Sequence, residues 1–130
     1  MASIPLLVFA VAAYTVLALV APGWLEAVQF DLPLLSATLP FRGGDLLLVV
    51  SLFLLGIEIS RSTSSSSATI LNHVLSLVVF ITALIEFIAM RQMANMTFFL
   101  ILLMTLIDVI AGFTVTISAA RRNVSYEPQQ

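Results

Sequence analysis

From Met96 to Ala120 the chain reads MTFFLILLMTLIDVIAGFTVTISAA, and its only ionisable residue is Asp108. An α-helix rises 1.5 Å per residue and the hydrocarbon core of a bilayer is about 30 Å thick, so roughly 20 apolar residues cross it. This stretch is long enough. Working outward from it, three further apolar runs meet or approach the same requirement: Ala68 to Met90, Asp45 to Ser60 and Ile4 to Ala21. The pattern predicts an all-α membrane protein with four transmembrane helices in an up-down bundle (4–21, 45–60, 68–90, 96–120), forming one domain over 1–122 with a polar tail at 123–130.

Composition agrees. Hydrophobic residues make up 61% of the 130 residues and charged residues 9%, with a mean hydropathy of +1.15. Soluble domains hold about 25% charged residues, so this chain has too few to cover a globular surface in water. The net charge of -2 and the lack of any basic cluster beyond Arg121 and Arg122 exclude a nucleic-acid partner. With no cysteine, disulfides, thiolate metal sites and cysteine nucleophiles are excluded as well. Five arginines and no lysine point to a GC-rich bacterial genome.

The first run stops at Pro22-Gly23. It has no preceding Lys or Arg and exceeds the 7–15 residues of a signal-peptide core, so a retained helix is expected. Pro22 to Gly44 is the longest connection and carries Trp24, Phe30 and Phe41 among Glu26, Asp31 and Arg42. Pro33 and Pro40 forbid a long helix there, and Val28, Phe30 and Leu32 alternate with Gln29 and Asp31 as in a short strand. A loop of this character is expected at the membrane surface, where tryptophan is favoured. Asp45, after Gly43-Gly44, should cap the second helix. Ser62 to Ser67 reads as a polar turn. Asn95-Met96-Thr97 and Asn123-Val124-Ser125 match the glycosylation triplet by chance.

The arginines set the orientation. Arg61, Arg121 and Arg122 fall on the side of both termini, Arg42 and Arg91 on the other, so both termini are expected in the cytoplasm by three to two.

Ionisable residues inside membrane helices cost at least ~2.5–3.5 kcal/mol when charged, so each needs a reason. Glu58 lies near the end of the second span with Arg61 one turn on, a spacing that lets them touch, and snorkelling to the interface accounts for it. His73 lies at similar depth in the third span and reads as structural, with a Glu58–His73 contact open to it. Glu86 shares a helical stripe with Asn72, Ser76, Val79 and Ala83, which should face protein. Asp108 shares one with Thr97, Thr105, Ala111, Gly112, Val115 and Ala119. The third and fourth spans should pack as an antiparallel hairpin, Asp108 against Ser76 to Ala83 and Glu86 further toward the outside. Asp108 is then either a clamp between helices or a group that takes up and releases a proton or cation. Small-residue stripes at Ala10, Ala13 and Ala21, at Gly56 and Ser60, and at Gly112 and Ala119 suit close helix packing.

A lone histidine cannot assemble a catalytic metal site or bis-histidine haem, so no metal or cofactor is expected. No nucleophile elbow or phosphate-binding glycine loop is present, and an enzyme is not expected.

Gly44-Asp45-Leu46-Leu47-Leu48, Gly56-Ile57-Glu58-Ile59, His73-Val74-Leu75-Ser76, Ala83-Leu84-Ile85-Glu86-Phe87 and Leu106-Ile107-Asp108-Val109-Ile110-Ala111-Gly112-Phe113 together resemble a group of short four-span bacterial inner-membrane proteins with no assigned activity. The resemblance covers about Gly44 to Arg122 and implies the fold and an inner-membrane location, without assigning a role to any residue. Size and span number are also similar to the small multidrug-resistance transporters, but those carry an essential glutamate in the first span and Ile4 to Ala21 has no acid. Two functions stay open: a non-enzymatic assembly or accessory protein that packs with itself or a larger membrane complex, and a small proton- or cation-coupled transporter or channel using Asp108 and Glu86.

Overall fold

The computed structural model describes residues 4–61 and 67–126. Of the described residues 78% are helical, and among them are three helices long and apolar enough to cross a membrane and one short two-stranded sheet. In chain order these are α1 (Leu7–Val20), α2 (Pro22–Glu26), β1 (Val28–Pro33), β2 (Thr38–Arg42), α3 (Gly43–Arg61), α4 (Ser67–Ala89), a single 3-10 turn (Arg91–Met93) and α5 (Met96–Tyr126). The turn expected around Ser62 lies largely outside the described residues, as does the end of the tail, 127–130.

The three long helices hold the membrane-length windows Gly43–Arg61, Ile70–Ala89 and Met96–Thr114. The first run falls short of its expected span. Pro5 precedes α1 and Pro22 follows it, leaving 14 helical residues, or about 21 Å of rise against about 30 Å of hydrocarbon. It is nonetheless an integral part of the core, through Leu7, Ala10, Val11, Tyr14 and Ala18. At the other end, α5 runs past the expected limit at Ala120 to Tyr126. Nothing between Ala120 and Tyr126 breaks a helix, and the next proline is Pro128.

The connection after α1 is more ordered than a loop. β1 carries the strand expected from the alternation of Val28, Phe30 and Leu32, and β2 pairs with it antiparallel. Phe30 lies opposite Phe41 and Leu32 opposite Leu39, after an irregularity between Val28 and Phe30. Directly opposed residues point to one face, so Phe30, Phe41, Leu32 and Leu39 form an apolar face, while Asp31, Pro40, Pro33 and Thr38 occupy the reverse. The phenylalanine rings stack at 4.8 Å. Pro40 is tolerated because both strands are edges, where a missing N–H costs no ladder bond. The hairpin leads directly into α3, whose start is secured when Asp45 accepts a hydrogen bond from the Arg42 N–H at 3.0 Å. This is the carboxylate half of a capping box.

α4 and α5 form the most extensive pair and α3 packs next on α5. α1 lies across all three. The apolar centre gathers Phe98, Ile101, Met93 and Ala83, all without solvent exposure. Asn95 organises the turn between α4 and α5. Its Oδ1 accepts from the Phe98 N–H at 2.9 Å, capping α5, and from the Tyr14 hydroxyl at 2.9 Å, while its Nδ2 donates to the Gln92 carbonyl at 3.0 Å. The glycosylation-like triplet is thus a helix cap.

Candidate functional site

Most of the buried polar side chains belong to one region of the bundle. Glu58 of α3, Asn72, His73 and Ser76 of α4, and Thr105 and Asp108 of α5 are all buried. Polar groups in a bundle wrapped by lipid find partners only in protein.

Glu58 departs most from the sequence reading. It does not snorkel; it is 1% exposed. Its Oε1 accepts a hydrogen bond from the Leu6 N–H at the start of α1, and its Oε2 accepts one from Asn72 Nδ2 at 2.6 Å. The first amides of a helix lack intrahelical acceptors, and a carboxylate at the positive end of the dipole answers that need. One side chain therefore joins three helices.

Asp108 is 3% exposed and faces Ser76 of α4, whose hydroxyl donates to the Asn72 carbonyl at 2.9 Å. Glu58 and Arg61 are its charged neighbours from α3. Thr105 on the same stripe gives its hydroxyl proton to the Leu102 carbonyl at 2.6 Å, within its own helix. His73, expected as an isolated interfacial group, is 5% exposed. Its ring packs against α5 at Gly112, where a Cβ would come within 2.5 Å of Nδ1. A glycine one turn beyond Asp108 is what admits the imidazole. Glu58 is near enough to act on His73 electrostatically, whereas His73 Nε2 and Asn72 Oδ1 are buried without a hydrogen-bond partner.

Glu86 is not part of this cluster. It turns to α1 and receives the Thr15 hydroxyl at 3.1 and 3.2 Å, beside an open groove of about 400 Å³ lined by Val8, Ala12, Val78 and Thr82 among others. Glu86 faces protein and lies beyond Ser76 along α4, but its hydrogen-bond partner belongs to α1 and not to α5. Thr15 escaped the sequence reading, although Tyr14 and Thr15 are the only polar residues of the first run and a pair of that kind marks the protein-facing side.

Of the small residues, Ala10 is buried against Leu7 and Leu55, Ala13 is half-buried, and Gly112 seats His73. Gly56 faces outward: a Cβ there would meet nothing within 4 Å. With Leu52, Phe53, Ile57, Ser60 and Arg61 it lines an open groove of about 620 Å³. The side chain of Ala119 lies outside the described ones. Among the described residues no three acidic or histidine side chains group as a metal site would require.

No family model, curated protein or solved structure matches this chain.

Proposed function

We propose that the chain is a four-span protein of the bacterial inner membrane with both termini in the cytoplasm, acting as a non-enzymatic assembly or accessory component that packs with itself or with a larger membrane complex. The observation that carries this reading is the commitment of Glu58. Both of its oxygens are used inside the protein, on α1 and α4, which is the behaviour of a clamp and not of a group that meets a substrate. Tilting or local thinning of the bilayer lets a helix shorter than the hydrocarbon cross it, and the apolar α1 fits such a place. The groove at Gly56 is where the backbone of another helix could come close, as small residues allow in membranes.

The test is the mass of the protein in mild detergent. An assembly heavier than the 14.1 kDa chain is expected, and Gly56→Leu should disrupt it while leaving the fold intact. A monodisperse monomer in both detergent and lipid nanodiscs would sink the reading.

A second reading, proton- or cation-coupled transport, is favoured by one observation: His73 Nε2 and Asn72 Oδ1 are buried without partners, on neighbouring residues of which Asn72 donates to Glu58. In that reading Asp108 and Glu86 carry the charge, Glu86 from the α1 side of α4. Asp108→Asn separates the two. A clamp keeps its function with asparagine, whereas a group that must ionise loses it in a normally folded protein.

A further inference from the structure

The end of the bundle far from Glu58 holds a second collection of polar groups. There α1 ends, α3 and α5 begin and the α4–α5 turn crosses, around a pocket of about 780 Å³. Pockets that hold small ligands run roughly 300–1,000 Å³. Its walls combine Ala18 and Leu25 with Arg42, Arg91, Gln92 and Thr97. Among the described residues, none of these four polar side chains spends a hydrogen bond or an ion pair on the protein. Arg42 donates to Asp45 through its backbone N–H, and Gln92 meets Asn95 through its backbone carbonyl.

Three features define the ligand. Arg42 closes β2 and Arg91 opens the 3-10 turn, so two separate connections bring a guanidinium to one concavity. Arg42 directly precedes the membrane-length helix that starts at Gly43, and Arg91 lies two residues beyond the one that ends at Ala89. That is the depth at which spans leave the hydrocarbon for the headgroup layer, and basic pockets between membrane helices hold lipid headgroups. The planar guanidinium matches phosphate oxygens in pairs. Next, α3 and α5 both start at this pocket, through Gly44 and Thr97, and helix N-termini attract anions. Last, one carboxylate is uncommitted. Asp45 accepts the Arg42 N–H, whereas Glu26 lines the same pocket and accepts no hydrogen bond from the described residues. A plain anion would be repelled by Glu26; a ligand that also carries an ammonium group would be held by it.

We propose that this pocket binds a phosphate ester bearing a primary ammonium group, the chemistry of an aminophospholipid headgroup. Arg42 and Arg91 take the phosphate, with Gln92 and Thr97 as further donors, and Glu26 takes the ammonium. Ala18 and Leu25 supply the apolar wall along which the rest of the ester runs. The floor is already firm, because the Tyr14 hydroxyl donates to Asn95 Oδ1 at 2.9 Å and both residues line the pocket. A membrane lipid and a soluble phosphate ester present the same headgroup to these side chains. Such a site needs no partner protein and no movement of ions, and so goes beyond the accessory reading.

Native mass spectrometry of the full chain in detergent tests it, with phosphatidylethanolamine and phosphatidylglycerol of identical chains as probes. Phosphatidylethanolamine should be retained in preference. Arg42→Gln and Arg91→Gln should each weaken its retention about tenfold or more, the effect of one lost charge-assisted hydrogen bond. Glu26→Gln should abolish the preference between the two lipids. All three side chains are exposed, so these variants keep the fold, which circular dichroism checks. Equal retention of both lipids by the wild type, retention untouched by either arginine substitution, or a preference that survives Glu26→Gln would overturn the proposal. Should a variant fail to fold, the wild-type preference decides alone. Glycerophosphoethanolamine, the headgroup without its chains, identifies the source: displacement of the lipid at matching concentration assigns a soluble ester, and lipid that stays bound assigns the membrane. A monomer that shows the lipid preference would remove the accessory reading and leave this one standing; an oligomer without it would do the reverse.

Discussion

Glu58 and Glu86 are the same side chain in two regions of one bundle, and they lead opposite lives. Glu58 is enclosed by α1, α3 and α4 and receives a backbone amide and a side-chain amide. Glu86 is half-buried on the α1–α4 side and shares a single threonine hydroxyl, which also donates toward the Val11 carbonyl at 2.8 Å. Position along the helix did not foretell this, since each lies three residues before the end of its own helix. What separates them is the supply of donors: a helix start that needs an acceptor can hold a carboxylate in the interior, and a lone hydroxyl cannot.

The contrast can be broken by substitution. The largest effect belongs to Glu58→Ala, which strands the Leu6 N–H and the Asn72 amide. At ~1–3 kcal/mol for each unsatisfied buried group, a loss on the order of 3 kcal/mol is expected in reversible unfolding from mixed micelles, and a loss below that of Glu86→Ala would invert the comparison. Next is Gly112→Ala, whose methyl would collide with the His73 ring; overpacking of this kind costs about 1–3 kcal/mol. His73→Ala in the same chain should return most of that loss, and failure to do so would mean the collision is with something else. Tyr14→Phe removes one hydrogen bond to Asn95 and should cost about 1 kcal/mol, seen as a few degrees in thermal melting. Glu86→Gln keeps an acceptor for Thr15 and should change stability by less than about 0.5 kcal/mol, the range of surface substitutions. A large effect there would show that Glu86 has a charge-dependent partner.

Much of the helical layout was legible. Hydrophobic runs long enough to cross a bilayer have few alternatives in a chain so poor in charge, and α3, α4 and the start of α5 fall within two or so residues of the expected limits. The failures share a cause. The short α1 follows from prolines at both ends, where counting apolar residues overstates the helix. The second strand was hidden because Thr38 to Arg42 includes a proline and takes its conformation from the partner strand. The burial of Glu58 was hidden because its principal donor is a backbone N–H, which leaves no mark in a sequence. The seating of His73 could have been glimpsed: Gly112 is the only glycine in the long run of α5, one turn from the only acid, and such a gap invites a ring from the facing helix. Asp108 itself was conspicuous, but the serine it faces belongs to a stripe with four other residues, and only the register of α4 against α5 selects it.

The hairpin has an attachment worth following to its end. The Gly43 N–H donates to the Ala27 carbonyl at 3.2 Å, and the backbone and ring of Trp24 press so closely on Gly43 that any side chain there would push them apart. The chain therefore leaves the bundle at Ala27 and re-enters it at Gly43 through a closed doorway, with everything between the two posts outside. Residues 28–42 are in this sense a cartridge. Its ties to the helices are confined to its two ends, Gln29 on the Trp24 and Ala27 carbonyls and Arg42 on Asp45, so a replacement that keeps these two posts leaves the start of α3 as it is.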